Sequence, residues 1–135
     1  MISAGPVIAI DFGDQRTGIA ISDELRTVAR PLEVIERAAT RDGMQRICDI
    51  VAEHRAVCVV VGLPVGLRGD TQQTQRTHSF IGRLRNTLAP IPVESFDERF
   101  TSRMADQTSQ RTGTTTARDA LAACHLLTSW ISVNT

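Results

Sequence analysis

The segment AVCVVVG, residues 56–62, constrains the fold more than any other stretch of this chain. It is a continuous run of small and β-branched apolar residues that ends at a glycine. A strand with one face in water alternates apolar and polar residues, whereas a continuous apolar run is typical of a parallel strand covered on both faces. Because helices supply those covers, the run predicts an α/β protein.

The residue periodicity on either side of this strand predicts the order of the other elements. The predicted elements are strands over 7–13, 17–23 and 28–35, a helix over 42–54, the strand over 56–62, a helix from 70 or 71 to 88, a strand over 92–97, a short helix over 101–110 and a last helix over 117–131. The first three strands follow one another closely and favour an antiparallel meander, while the later alternation requires parallel crossovers. We therefore expect one domain, residues 1–135, with a mixed five-stranded sheet and helices on both faces.

Side-chain patterns locate the expected core of the helices. Thr40 or Asp42 can cap the first helix, and large apolar residues recur at helical spacing in all three long helices. In the last helix these are Leu121, Cys124, Leu127 and Ile131, and we expect Trp130, Ile131 and Val133 to complete the core rather than to form an interface.

Composition excludes several classes of protein. The chain has 15 basic and 15 acidic residues, so it lacks the strong positive charge of many nucleic-acid or membrane-surface proteins. Three widely spaced cysteines match neither a disulfide framework nor a zinc site and indicate a reducing compartment. No signal peptide or apolar run long enough for a membrane span is recognisable. We expect a cytoplasmic protein without membrane contact.

Four carboxylates occupy positions where an α/β sheet can bring them together. Asp11 ends the first strand, Asp97 and Glu98 end the fifth, and Asp119 lies in the first turns of the last helix. Ligand sites in such sheets lie at the carboxyl ends of strands. Convergent carboxylates favour a hard divalent ion, Mg²⁺ or Mn²⁺, that can activate water for phosphodiester hydrolysis. Taken singly, Asp11 can be a turn residue and Asp119 can complement a helix dipole, and the residues alone do not choose between Asp97 and Glu98.

Four sequence blocks resemble, in order and spacing, those of the YqgF family of Holliday-junction-resolvase-like proteins, known in bacteria as pre-16S rRNA nucleases. The blocks are AIDFGDQRTGIAISD, VVVGLPVGLRGD, SFDERFTS and RDALAACHLL. The resemblance implies a ribonuclease H-like fold and a metal-dependent nuclease acting in the 5′-end maturation of pre-16S rRNA. It implies that Asp11, Glu98 and Asp119 are the catalytic residues and hold Mg²⁺ or Mn²⁺.

Five further residues of these blocks are candidates for binding substrate. Arg16 and Arg99 stand near the carboxylates and could contact a phosphate, although Arg99 could equally pair with a neighbouring carboxylate. Thr101 and Ser102 could cap a helix or contact a phosphate. Arg68 stands in a loop where many family members carry an acidic residue, so it could strengthen backbone binding.

Other functions stay open at this point. The same family supports a Holliday-junction resolvase, for which a symmetric dimer is expected because the substrate has two-fold symmetry. The neutral charge favours a non-catalytic RNA- or ribosome-binding module, and the first block also resembles the phosphate loop of actin-like ATP-binding proteins. The favoured partners are pre-rRNA ahead of branched DNA, and ribosomal particles, with the protein a monomer or weak homodimer.

Overall fold

The structure is a computed structural model that describes residues 4–64, 72–97 and 115–134. These residues form β1 (Val7–Asp11), β2 (Arg16–Ser22), β3 (Ala29–Glu36), α1 (Arg41–His54), β4 (Cys58–Leu63), α2 (Gln72–Leu88), β5 (Val93–Asp97) and α3 (Thr115–Asn134). The predicted order of these eight elements is confirmed. The short helix predicted over 101–110 lies outside the described residues.

The five strands form one mixed sheet in the order β3-β2-β1-β4-β5. The first three strands pair antiparallel, and β4 pairs parallel with β1 on one side and β5 on the other. This arrangement confirms the mixed five-stranded sheet. The arrangement also explains the continuous apolar run in the sequence of β4. This strand lies inside the sheet, and its residues Val59, Val60 and Val61 are completely buried.

The sheet separates two hydrophobic cores. Side chains alternate along each strand, so that Ile8 and Ile10 of β1 pack with α1 and α2 on one face, while Val7 and Ala9 pack with α3 on the other. Helices on both faces are thereby confirmed. The face covered by α1 and α2 is called the α1/α2 face below, and the opposite one the α3 face.

The ends and the apolar faces of α1 and α2 follow the sequence. The side chain of Thr40 caps α1 by accepting a hydrogen bond from the Gly43 N–H, so Thr40 rather than Asp42 is the N-cap. The apolar stripe of α2 is buried as the spacing predicts, and its members are Phe80, Ile81, Leu84 and Leu88. Next in the chain is a cis peptide bond between Ala89 and Pro90.

The predicted core face of α3 is confirmed at Leu127 but wrong at the other three positions, because the helix is rotated relative to the prediction. The buried residues are Ala120, Ala123, Leu126, Leu127 and Trp130, whereas Leu121, Cys124 and Ile131 are half-buried. The reason is that the start of α3 approaches β2 closely at Gly18, so the small residues Ala120 and Ala123 meet the sheet there. The larger core residues Leu126, Leu127 and Trp130 lie farther along the helix. Trp130 belongs to the core as expected, but Val133 is 68% exposed.

The cysteines are free thiols: Cys58 is buried, and Cys48 and Cys124 are half-buried. Among the described residues, none of the helices is long and apolar enough to span a membrane.

Candidate active site

Asp11 lies at the carboxyl end of β1, on the α3 face. The alternation along β1 places it there, because Val7 and Ala9 belong to the α3 core and Ile10 to the other. The next residue, Phe12, turns to the opposite side and stacks on Phe80 of α2 with ring centroids 4.2 Å apart. Asp11 is half-buried, so its carboxylate is neither in the core nor fully in water.

Asp119 reaches the same place from the other end of the chain. Gly18 of β2 is the cross-strand partner of Asp11. A Cβ atom on Gly18 would lie only 1.9 Å from the main-chain carbonyl oxygen of Asp119. The backbone of α3 therefore rests directly on β2 beside Asp11, and a glycine is needed because any side chain would push the helix away. The structure thus brings Asp11 and Asp119 to one face and one end of the sheet.

Arg16 makes an ion pair with Asp119. Its Nε atom donates to Asp119 Oδ2 over 2.9 Å, and the two side chains are 45% and 25% exposed. Arg16 is the first residue of β2, two positions before Gly18, so both residues belong to the α3 face. The sequence placed Arg16 in a loop near Asp11 and gave no signal for this contact, which joins residues 103 positions apart.

Asp97 lies on the opposite face of the sheet from Asp11 and Asp119. Along β5, Phe96 packs into the α3 core while Val93 packs into the other, so alternation directs Asp97 to the α1/α2 face. Of the two alternatives at the end of β5, Asp97 is therefore not on the face that carries the other carboxylates. Glu98 lies outside the described residues, as do the substrate-binding candidates Arg68, Arg99, Thr101 and Ser102.

The turn between β1 and β2 is held firmly next to Asp11. The N–H of Gly13 donates to the hydroxyl of Thr17, which in turn donates to the Gly13 carbonyl, both over 3.3 Å, and Thr17 is completely buried. On the outside, Arg76 of α2 pairs with Asp14 over 2.6 Å. These contacts hold the end of β1, which carries Asp11, in place. A binding site on such a rigid strand end needs little rearrangement when a ligand binds.

The donor set suits a hard divalent cation. Asp11 and Asp119 offer only carboxylate oxygens, at the margin of the fold where water and a phosphate group can also reach. Mg²⁺ is commonly held by one or two carboxylates together with water and substrate phosphates. Within the described ranges, no group of three or more His, Cys, Asp or Glu residues could hold a metal ion.

Comparison with known proteins identifies the family. A family profile described as RuvX, Holliday junction resolvase, matches residues 5–133. The chain belongs to the RuvX family. The resemblance to YqgF proteins noted in the sequence is to this same family, and is confirmed.

Relatives of this RuvX chain carry the name "Putative pre-16S rRNA nuclease". The one from Corynebacterium jeikeium is 35% identical over 133 residues, which cover 94% of this chain and 86% of the relative. The one from Rhodococcus opacus is 36% identical over 137 residues, covering 94% and 77%. Resolvases and rRNA nucleases both cleave phosphodiester bonds, so this RuvX chain is a hydrolase of nucleic-acid phosphodiester bonds.

Solved structures agree on the fold. Thermus thermophilus RuvC in complex with a Holliday junction substrate matches with a TM-score of 0.61 at 20% identity, covering 97% of each chain. The fowlpox virus resolvase bound to Holliday junction DNA matches with a TM-score of 0.59 at 11% identity, covering 96% of this chain and 98% of the resolvase. These similarities confirm the ribonuclease H-like fold that the resemblance implied.

Proposed function

We propose that this RuvX chain is a divalent-metal-dependent nuclease that trims the 5′ end of pre-16S rRNA. The observation that carries the proposal is the contact between α3 and Gly18, because it sets Asp119 beside Asp11 at the carboxyl end of β1. The names of the relatives support rRNA as the substrate. Action on ribosomal particles, in the cytoplasm and as a monomer or weak dimer, belongs to the same proposal.

In this proposal Asp11, Glu98 and Asp119 hold Mg²⁺ or Mn²⁺. Such an ion, when bound, supplies a Lewis acid and makes water a stronger nucleophile at neutral pH. The carboxylates themselves orient the attacking water, and Arg16 offsets part of their negative charge through its ion pair with Asp119. Glu98 is favoured over Asp97 by the family resemblance and because Asp97 lies on the other face. Arg16, Arg68, Arg99, Thr101 and Ser102 are proposed to bind the substrate backbone.

Cleavage of branched DNA is the second candidate, since the family is described as Holliday junction resolvases. The two candidates share one chemistry and differ in substrate. Comparing cleavage of RNA with cleavage of a DNA junction therefore separates the two candidates. A carboxylate variant that no longer cleaves either substrate shows that the cleavage comes from this protein.

The deciding experiment compares Asp11→Asn with Asp97→Asn. Both are aspartates at the ends of parallel-paired strands, but only Asp11 lies on the face that carries Asp119. The substrates are a structured RNA carrying a 16S 5′ leader and a four-way DNA junction, each tested with Mg²⁺ and with Mn²⁺. We expect Asp11→Asn to lower the cleavage rate by at least about a hundredfold, and Asp97→Asn to leave it within about threefold.

Thermal unfolding supplies an independent readout. A divalent ion that binds only the folded protein raises the melting temperature by mass action. We expect Mg²⁺ to stabilise the wild type and Asp97→Asn, and to stabilise Asp11→Asn much less. Equal cleavage by the wild type and Asp11→Asn would remove Asp11 from the site, and equal stabilisation by Mg²⁺ would place the ion elsewhere.

A further inference from the structure

A cleft opens at the same end of the sheet as the candidate active site. Its volume is about 590 Å³, and it lies between the β1–β2 turn, the end of β3 and the first turns of α1. We call it the arginine cleft, and its lining includes the charged residues Arg16, Glu36, Arg37, Asp42 and Arg46 together with Gln15 and Thr40. Arg16 is the one residue of this cleft to which the proposed nuclease function gives a role.

Arg16 joins the cleft to the candidate active site. It lines the cleft while its Nε atom bonds to Asp119. Its cross-strand partner is Glu36 of β3, so the end of β3 and the residue that follows it lie directly beside Arg16. The cleft and Asp119 therefore adjoin at the same end of the sheet.

Arg37 is held in an unusual backbone conformation at the wall of the cleft. Its φ angle is 51°, in the left-handed region that favours glycine. Its N–H donates to the carbonyl of Gln15 over 2.9 Å, and its own carbonyl accepts from the N–H and the hydroxyl of Thr40 over 3.0 and 2.8 Å. These bonds fix the main chain, so the direction in which the side chain leaves the turn is set, even though a glycine would fit the turn with less strain.

The three guanidinium groups of the cleft differ in how they are engaged. Arg46 is held by Glu33 through two bonds of 2.6 and 2.7 Å, and Arg16 by Asp119 through one. Arg37 is exposed, and no hydrogen bond or ion pair from its guanidinium to another described residue is found. The lining also holds two carboxylates, Glu36 and Asp42. Because Arg16 and Arg46 are already paired with Asp119 and Glu33, Arg37 is the guanidinium of the cleft best placed to meet an anion.

We propose that the arginine cleft binds a backbone phosphate of the nucleic acid, next to the phosphodiester that is cut, with Arg37 as its main contact. A guanidinium matches phosphate oxygens with two parallel donors. Arg16 contributes from beside Arg37, since its bond to Asp119 is made by Nε and leaves the two Nη groups for a phosphate oxygen. This inference rests on the proposed nuclease function and adds a second phosphate site to it.

The test uses a matched pair of arginines. Arg55 has the same left-handed conformation, with φ 54°, and is also exposed, but it caps the opposite end of α1. Arg37→Gly and Arg55→Gly remove the same charge and relieve the same backbone strain. Both should raise the melting temperature slightly. Arg37→Gln and Arg55→Gln repeat the comparison with the backbone conformation retained.

Binding of the 5′-leader RNA is measured against salt concentration in the Asp11→Asn background, without divalent ions. Loss of one phosphate contact lowers the slope of log K against log salt by roughly 0.7 to 0.9. We expect that loss for both Arg37 variants, with affinity reduced roughly three- to tenfold at low salt. The two Arg55 variants should keep the parent slope.

Three outcomes distinguish this inference from the proposed function. Parent-like slopes and affinities in both Arg37 variants would overturn the arginine cleft while leaving the nuclease intact. A parent protein that binds no nucleic acid would overturn both. If the wild type cuts neither substrate but the Arg37 variants alone lose the phosphate contact, the nuclease is rejected and only a phosphate-binding role of the cleft is left.

Discussion

The close approach of α3 to β2 makes Gly18→Ala the most informative single substitution. The added Cβ atom would lie 1.9 Å from the carbonyl oxygen of Asp119, 2.5 Å from its carbonyl carbon and 3.1 Å from the nitrogen of Ala120. All three are main-chain atoms of a helix, so no side chain can rotate out of the way. Either α3 retreats from the sheet or β2 bends.

The expected cost follows from this geometry. Overpacking a well-packed core typically costs 1–3 kcal/mol, and because a whole helix must move here we expect about 3 kcal/mol. The retreat separates Ala123, Leu127 and Trp130 of α3 from the sheet, so buried apolar contact is lost as well. For a chain of this size, about 3 kcal/mol lowers the melting temperature by about 10 °C.

Gly82→Ala is the matched control. Gly82 lies within α2, and a Cβ atom there would meet nothing within 4 Å. Alanine is favoured over glycine inside a helix, so this variant should gain about 0.5–1 kcal/mol. The same added methyl group should thus lower stability at Gly18 and raise it at Gly82, because only Gly18 lies where a strand contacts a helix.

Urea unfolding measures both variants. We expect a lower midpoint for Gly18→Ala and a higher one for Gly82→Ala, with unchanged dependence on urea concentration. Since α3 carries Asp119, Gly18→Ala should also weaken the stabilisation by Mg²⁺ and the cleavage rate, while Gly82→Ala leaves both unchanged. A Gly18→Ala protein with the midpoint of the wild type would refute the reasoning, because the helix would then have room for the methyl group.

Two further predictions concern charged residues outside the site. In the β2–β3 turn the Thr27 hydroxyl and the N–H groups of Thr27 and Val28 donate to Asp23 and hold its pKa at about 2, below its ordinary 3.8. Its stabilising effect is therefore present above about pH 4 and lost as the pH falls toward 2, so Asp23→Ala should flatten the melting temperature between pH 4 and 2. The two-bond pair of Glu33 with Arg46 is partly exposed, with side chains 31% and 40% accessible, so Glu33→Gln should cost about 0.5–1 kcal/mol in urea unfolding at low salt and less at high salt.

The strands and helices could be predicted because their signals are local. The continuous apolar run of β4 requires that both faces of the strand be buried. The buried apolar residues of α2 recur at helical spacing along the whole helix. The orientation of α3 could not be predicted in the same way. Its sheet-facing residues, Ala120 and Ala123, are small because the helix lies close to Gly18, whereas a hydrophobic pattern emphasises the largest apolar side chains.

The candidate site could be predicted only in part for the same reason. The positions of Asp11 and Asp119 at the end of a strand and the start of a helix are readable from the sequence. Their convergence depends on how α3 crosses the sheet, and the ion pair between Arg16 and Asp119 depends on it too. The left-handed turn at Arg37 has no sequence signal, since arginine is not a residue that favours this conformation.

The docking of α3 on β2 also determines when the candidate site can form during synthesis of the chain. Asp11 belongs to the first strand and Asp119 to the last of the described helices, so one carboxylate is synthesised long before the other. A nascent chain that has not yet released α3 can pair its first hairpin but lacks Asp119. Contacts so distant in sequence require the closure of a long loop, which slows folding. The candidate site is therefore assembled only after α3 has been synthesised, and a chain truncated before α3 would carry an incomplete set of carboxylates.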